Sequence, residues 1–167
     1  MSVAVIGIGN LLRADDGVGA HVVRRLNEGW PDIYAVDLST AEIGVLDHVR
    51  GREVVIIIDA ILSGARPGSI HRLELGDVAD EAFTRSHGLS LASSLQLGYR
   101  LYPEEMPEKI VVLAVEAGDI ESFSTDLTPE VEAAVPEIIN EVLREVEAVG
   151  QPSDGLKKSG LEVQSAF

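Results

Sequence analysis

The stretch that decides the fold reads Gly7-Ile8-Gly9-Asn10-Leu11-Leu12-Arg13-Ala14-Asp15-Asp16-Gly17-Val18-Gly19. It leaves an apolar run, Ser2 to Ile8, whose continuity predicts a strand buried on both faces. Beyond it Val18, Val22 and Leu26 recur at helical spacing, with Arg24, Arg25 and Glu28 on the other side. A buried strand, a glycine loop and an amphipathic helix open an α/β fold, and such loops often cradle phosphate. This loop does not fit that use. A dinucleotide fingerprint needs a third glycine where Leu12 stands, and a P-loop needs Lys followed by Ser or Thr. Two adjacent aspartates repel an anion and suit a cation. Either of them, Asp15 or Asp16, also suits the N-terminus of the helix as a cap.

The same reading extends along the chain. Asp32 to Leu38 predicts a second strand and Ile43 to Val49 a weak helix. Val54 to Ile58 is the strongest strand pattern and closes on Asp59. Ile70 to Leu75 alternates apolar and polar residues, as a strand near a sheet edge does. Leu89 to Leu101 carries both periodicities, and its length favours a helix. Ile110 to Val115 is another buried strand. Thr128 then caps a last helix that has Pro129 at its first position and Glu130 and Glu132 at its positive end. Val131, Val135, Ile138, Val142, Val146 and Val149 mark its apolar face, Pro136 either kinks it or marks the end of its first two turns, and Gly150 with Pro152 ends it. Alternating strands and helices give a single three-layer α/β/α domain with a mostly parallel sheet over residues 1–150. Residues 151–167 read as a polar C-terminal tail.

Composition narrows the chemistry. Apolar residues are 46% and aromatics only 4% of the 167 residues, so Val, Ile, Leu and Ala must build the core. A net charge of −15 argues against nucleic acid and anionic membranes, and favours a basic peptide or a metal cation. The chain has no cysteine, which excludes thiol catalysis, disulfides and thiolate metal sites. No stretch has the ~20 apolar residues of a membrane span, and the N-terminus reads as a strand rather than a signal peptide. The expected location is the cytoplasm.

Ligands of open α/β sheets bind beyond the carboxyl ends of the strands. Asp15 or Asp16 after the first strand, Asp37 at the end of the second and Asp59 at the end of the third all fall there. An aspartate closing a run of valines and isoleucines is costly unless it is paired or holds a cation. His87, in Ser86-His87-Gly88, stands at the entry to a helix, while His21, His48 and His71 read as surface or hydrogen-bonded residues. The serine-hydrolase elbow G-x-S-x-G and the zincin H-E-x-x-H are both missing. The residues alone lead to an acid-rich cleft with one histidine, suited to zinc, nickel or a neighbouring divalent metal.

Four motifs appear together in order. They are Gly7-Ile8-Gly9-Asn10 with Asp15-Asp16-Gly17-Val18-Gly19, a strand ending Asp59-Ala60, Ser86-His87-Gly88-Leu89, and Leu127-Thr128-Pro129-Glu130-Val131. This combination resembles the hydrogenase maturation proteases. The resemblance runs from about residue 2 to residue 149. It implies a five-stranded sheet between helices in a monomeric endopeptidase. Such an enzyme removes the C-terminal extension of a nickel–iron hydrogenase large-subunit precursor after nickel insertion.

It further implies that nickel is carried chiefly by the substrate as the recognition signal, and that Asp16, Asp59 and His87 engage it. The free protein would hold another divalent cation or none. Asp15 would then be a capping or supporting group. Two ways of breaking the peptide bond follow. In one, the metal acts as a Lewis acid with Asp16 and Asp59 around it. In the other, it only positions the peptide, and Asp37 assists water as base.

The family pattern after the second strand is Asp-Gly-Gly-Thr-x-Gly, whereas this chain has Asp37-Leu38-Ser39-Thr40-Ala41-Glu42. Loss of the glycines stiffens that loop and changes the surface offered to a precursor. Glu116 matches an acidic position of some members and receives no catalytic role. The competing readings are a nickel-sensing chaperone that docks on the precursor without cutting it, and an unrelated metal-dependent hydrolase.

Overall fold

The computed structural model describes residues 2–39, 43–74 and 89–150. The chain order is β1 (Val3–Ile8), α1 (Val18–Gly29), β2 (Tyr34–Leu38), α2 (Leu46–Val49), β3 (Val54–Ile61), β4 (Ile70–Glu74), α3 (Leu89–Leu101), β5 (Lys109–Glu116) and α4 (Pro129–Gly150). Five strands form one sheet in the order β2-β1-β3-β5-β4. Every pairing is parallel except β4 with β5. The alternating pattern of β4 thus marks an edge strand, as its sequence suggests.

β1, β3 and β5 are buried throughout or nearly so, which is why they read as unbroken apolar runs. Side chains alternate between two cores. Val5, Ile56, Ile58, Val111 and Leu113 pack against α1 and α4. Ala4, Ile6, Ile57, Val112 and Ala114 face the other way, toward Leu46 and Val49 of α2 and Leu91 and Leu95 of α3. This is the expected three-layer arrangement.

The weak helix expected over Ile43–Val49 is a 3-10 turn at Ile43–Val45 followed by one α turn. β3 does not stop at Asp59. It runs on to Ile61 because β5 continues to supply partners, Asp59 opposite Ala114 and Ile61 opposite Glu116. Pro136 lies inside α4 without ending it. It is exposed, so the carbonyl that its missing N–H leaves unpaired lies on the solvent side. The expected tail, residues 151–167, lies outside the described residues, as do Leu75, Thr40, Ala41 and Glu42.

Candidate functional site

The loop from Gly9 to Gly17 crosses the carboxyl end of β1, and its glycines serve close packing. A Cβ on Gly7 would meet the Gly19 carbonyl oxygen at 2.5 Å, and one on Gly19 would meet the Ile58 oxygen at 2.9 Å. The first turn of α1 is therefore drawn onto β1 and β3. Gly9 adopts φ +124°, and a Cβ there would fall 1.9 Å from the Asp16 carbonyl oxygen. A short 3-10 turn, Ala14–Gly17, then carries both aspartates beneath the surface.

The two neighbours divide the work. Asp15 is fully buried. Its Oδ2 accepts the Gly118 amide at 2.8 Å, the Asp119 amide at 3.0 Å and the Thr128 hydroxyl at 2.9 Å. Its Oδ1 accepts the Thr128 amide at 2.7 Å. Asp15 does not cap α1, whose N-cap makes no side-chain bond. It ties the segment after β5 and the entry of α4 to the first loop. Asp16 is 8% exposed, and its Oδ2 accepts the Asn10 amide at 2.9 Å. That bond folds the loop back over its own carboxylate and points Asp16 at the carboxyl end of the sheet.

Asp59 is fully buried within β3. The pleat puts it on the face of Ile57 and Ile61, which is the α2–α3 side. Asp16, in the turn that follows β1, and Asp59, near the end of the neighbouring strand β3, therefore both lie toward the carboxyl end of the sheet. His87 lies outside the described residues. Among the described residues, no cluster of at least three His, Asp or Glu side chains forms a ready metal site.

Asp37 is placed differently. It pairs in register with Gly7, which pairs with Ile58, so it faces the α1 side, opposite to Asp59 and with β1 between them. Burial raises its carboxyl above the usual 3.8. The remaining histidines are engaged elsewhere. His21 Nε2 lies 2.9 Å from the Thr125 carbonyl oxygen, and His48 Nδ1 lies 2.7 Å from the Tyr34 hydroxyl.

Glu116 is the acid that sequence reasoning undervalued. It ends β5 almost fully buried. It accepts the Ser63 amide at 2.9 Å, the Ser63 hydroxyl at 2.6 Å and the Gly64 amide at 3.0 Å. His71 Nε2 stands 3.9 Å from it. Glu116 thus fixes the loop that leaves β3 just beyond Asp59. Its signal was the one that singled out Asp59, an acid at the end of an apolar run.

Comparison with known proteins points to one family with this fold. The family model HycI, hydrogenase maturation protease, matches residues 20–145. The hydrogenase 2 maturation protease of Escherichia coli is 31% identical over 97% of this chain and 94% of its own. The hydrogenase expression/formation protein HupD of Thiocapsa roseopersicina is 27% identical over 84% of this chain, which spans only 66% of that protein. Among solved structures, the hydrogenase maturating endopeptidase HybD from E. coli superposes with a TM-score of 0.77 at 28% identity, covering 90% of this chain and 94% of its own.

Proposed function

The chain belongs to the hydrogenase maturation protease family, and on that premise we propose that it removes the C-terminal extension of a nickel–iron hydrogenase large-subunit precursor after nickel insertion. Nickel, in this reading, is cargo of the substrate. Asp16, Asp59 and His87 would engage it, since two carboxylates and an imidazole are a donor set that nickel accepts. The observation that carries this reading is the placement of two buried acids toward the carboxyl end of the sheet, Asp16 in the turn after β1 and Asp59 in the neighbouring strand β3. That is where open α/β sheets bind ligands.

Each residue has a distinct task. Asp15 locks the loop, so the position of Asp16 is fixed before substrate arrives, which lowers the ordering cost on binding. Asp59 supplies a second carboxylate from the rigid middle of the sheet rather than from a loop. The ion, brought by the substrate, supplies a Lewis acid near the peptide bond to be cut. The opposite facing of Asp37 favours this over the reading in which Asp37 activates water. Asp37 instead borders the path of the peptide.

The test is incubation with nickel-loaded and nickel-free large-subunit precursor, followed by mass spectrometry. Loss of a C-terminal peptide from the loaded form alone is the expected outcome. Tight binding with no cleavage would make the protein a nickel-sensing chaperone, and cleavage of unrelated peptides a general metal-dependent hydrolase.

A further inference from the structure

β2 is the last strand of the sheet, and among the described residues nothing pairs with its outer edge. Such edges are normally blunted by charge, proline or a bulge. The opposite edge, β4, is protected in that way. Arg72 bonds Glu145 at 2.6 Å and Glu74 at 3.2 Å along it. β2 reads Tyr-Ala-Val-Asp-Leu, with Asp37 as its one charge.

A groove lies on each face of this edge. On the α1 side, one of about 600 Å³ is lined by Leu11, Ala20, Val23, Ala35, Val36 and Asp37, among others. On the opposite face, one of about 370 Å³ is bordered by Asp37, Leu38, Asp47 and His48. A strand laid against β2 would send alternate side chains into the two grooves, residues i and i+2 about 7 Å apart on one face. The first groove sets aliphatic Leu11, Ala20, Val23 and Ala35 beside the charged Arg24, Glu28 and Asp37, and its aliphatic part takes small apolar side chains. The second carries the Asp47 carboxylate and takes a basic one. The first also ends at Leu11, which belongs to the loop whose Asn10 amide bonds Asp16. A peptide lying in it would run toward the candidate site.

We infer that the exposed edge of β2 receives an extended segment of the precursor as an added strand, aliphatic on one side and basic on the other. Main-chain hydrogen bonds to β2 would give affinity, and the two grooves selectivity. The inference rests on the proposed protease function and names how its substrate is held. Charge complementarity points to this occupant rather than a second copy, because a chain of net charge −15 repels itself at an edge already flanked by Asp37 and Asp47.

Amide hydrogen exchange of the full chain, free and mixed with nickel-loaded precursor, tests it, together with the affinity of Asp47→Lys. Amides of residues 34–38 should exchange at least about tenfold more slowly in the complex. Asp47→Lys should weaken precursor binding about five- to tenfold, with unchanged thermal unfolding. Precursor that is cut while exchange at 34–38 stays the same would overturn strand addition and leave the protease reading intact. A wild-type chain that neither binds nor cuts would overturn both. Protection that grows with protein concentration in the absence of precursor would assign the edge to a second copy and overturn the inference. The exchange measurement needs no variant, so it decides the matter even if Asp47→Lys is unstable.

Discussion

Asp15 Oδ1 holds the Thr128 amide at 2.7 Å, across 113 residues of chain. The bond joins the loop after the first strand to the start of the last helix. With the hydroxyl of Thr128 and the amides of Gly118 and Asp119, four donors converge on one buried carboxylate. Asp15→Ala leaves these donors without an acceptor, and the expected loss of stability is about 3 kcal/mol or more. Asp15→Asn should lose less, because its amide oxygen still accepts. The midpoint of urea unfolding reads both.

Gly9 offers a second check on the loop. At φ +124°, with the Asp16 carbonyl oxygen 1.9 Å from where a Cβ would sit, alanine has no room. Gly9→Ala should destabilise the protein by about 3 kcal/mol or more, or shift the Asp16 turn and abolish precursor cutting. Gly29→Ala, where a Cβ meets nothing within 4 Å, is the control and should leave both properties unchanged.

Glu145 links α4 to the edge of the sheet, where Arg72 reaches it at 2.6 Å and Lys109 at 2.7 Å. Burial alone would raise its carboxyl, but the bonds from Arg72 and Lys109 outweigh that and hold it below the ordinary 4.5. A depressed acid stabilises the fold above its unfolded pKa, and that contribution is lost as pH falls through the folded value. Glu145→Gln should therefore cost about 1–2 kcal/mol at pH 7, with a smaller difference from wild type below about pH 4. Unfolding curves over pH 3 to 7 would show the two converging in acid.

For Asp37 the sign is the reverse. Burial raises its pKa, so the folded chain holds the proton more tightly, and stability declines as pH rises from 3.8 through the folded value. Asp37→Asn should thus be as stable as wild type or more so at neutral pH. Single-turnover kinetics separate its two possible roles. Weaker precursor binding with a cutting rate within about twofold of wild type is expected for a residue that borders the peptide path. Normal binding with cutting abolished would make Asp37 the base.

Strands β1, β3 and β5 were legible because burial on both faces leaves little room for polar side chains, and a parallel sheet covered by helices demands that pattern. The entry of α4 was equally clear, since Pro129 and its following acids mark a helix start by themselves. What the sequence concealed was pairing at a distance. Asp15 looked like a cap for the helix three residues ahead, yet its donors lie more than 100 positions away. Asp59 looked terminal because Ile58 ends the isoleucine run, whereas the extent of a strand is set by its neighbour. The side of the sheet that Asp37 faces follows from its register with Gly7, which no local pattern encodes. Asp16 was legible as a cation ligand candidate only through its company, the glycines and the second acid.

The central claim is that Asp16 and Asp59 reach the nickel carried by the precursor. X-ray absorption at the nickel edge, on loaded precursor alone and on its complex with wild type, Asp16→Asn or Asp59→Asn, tests it most directly. Nickel should gain oxygen or nitrogen donors on binding wild type, and each variant should diminish that gain in step with loss of cutting. Unchanged nickel coordination in a wild-type complex that goes on to cut its substrate would contradict the claim.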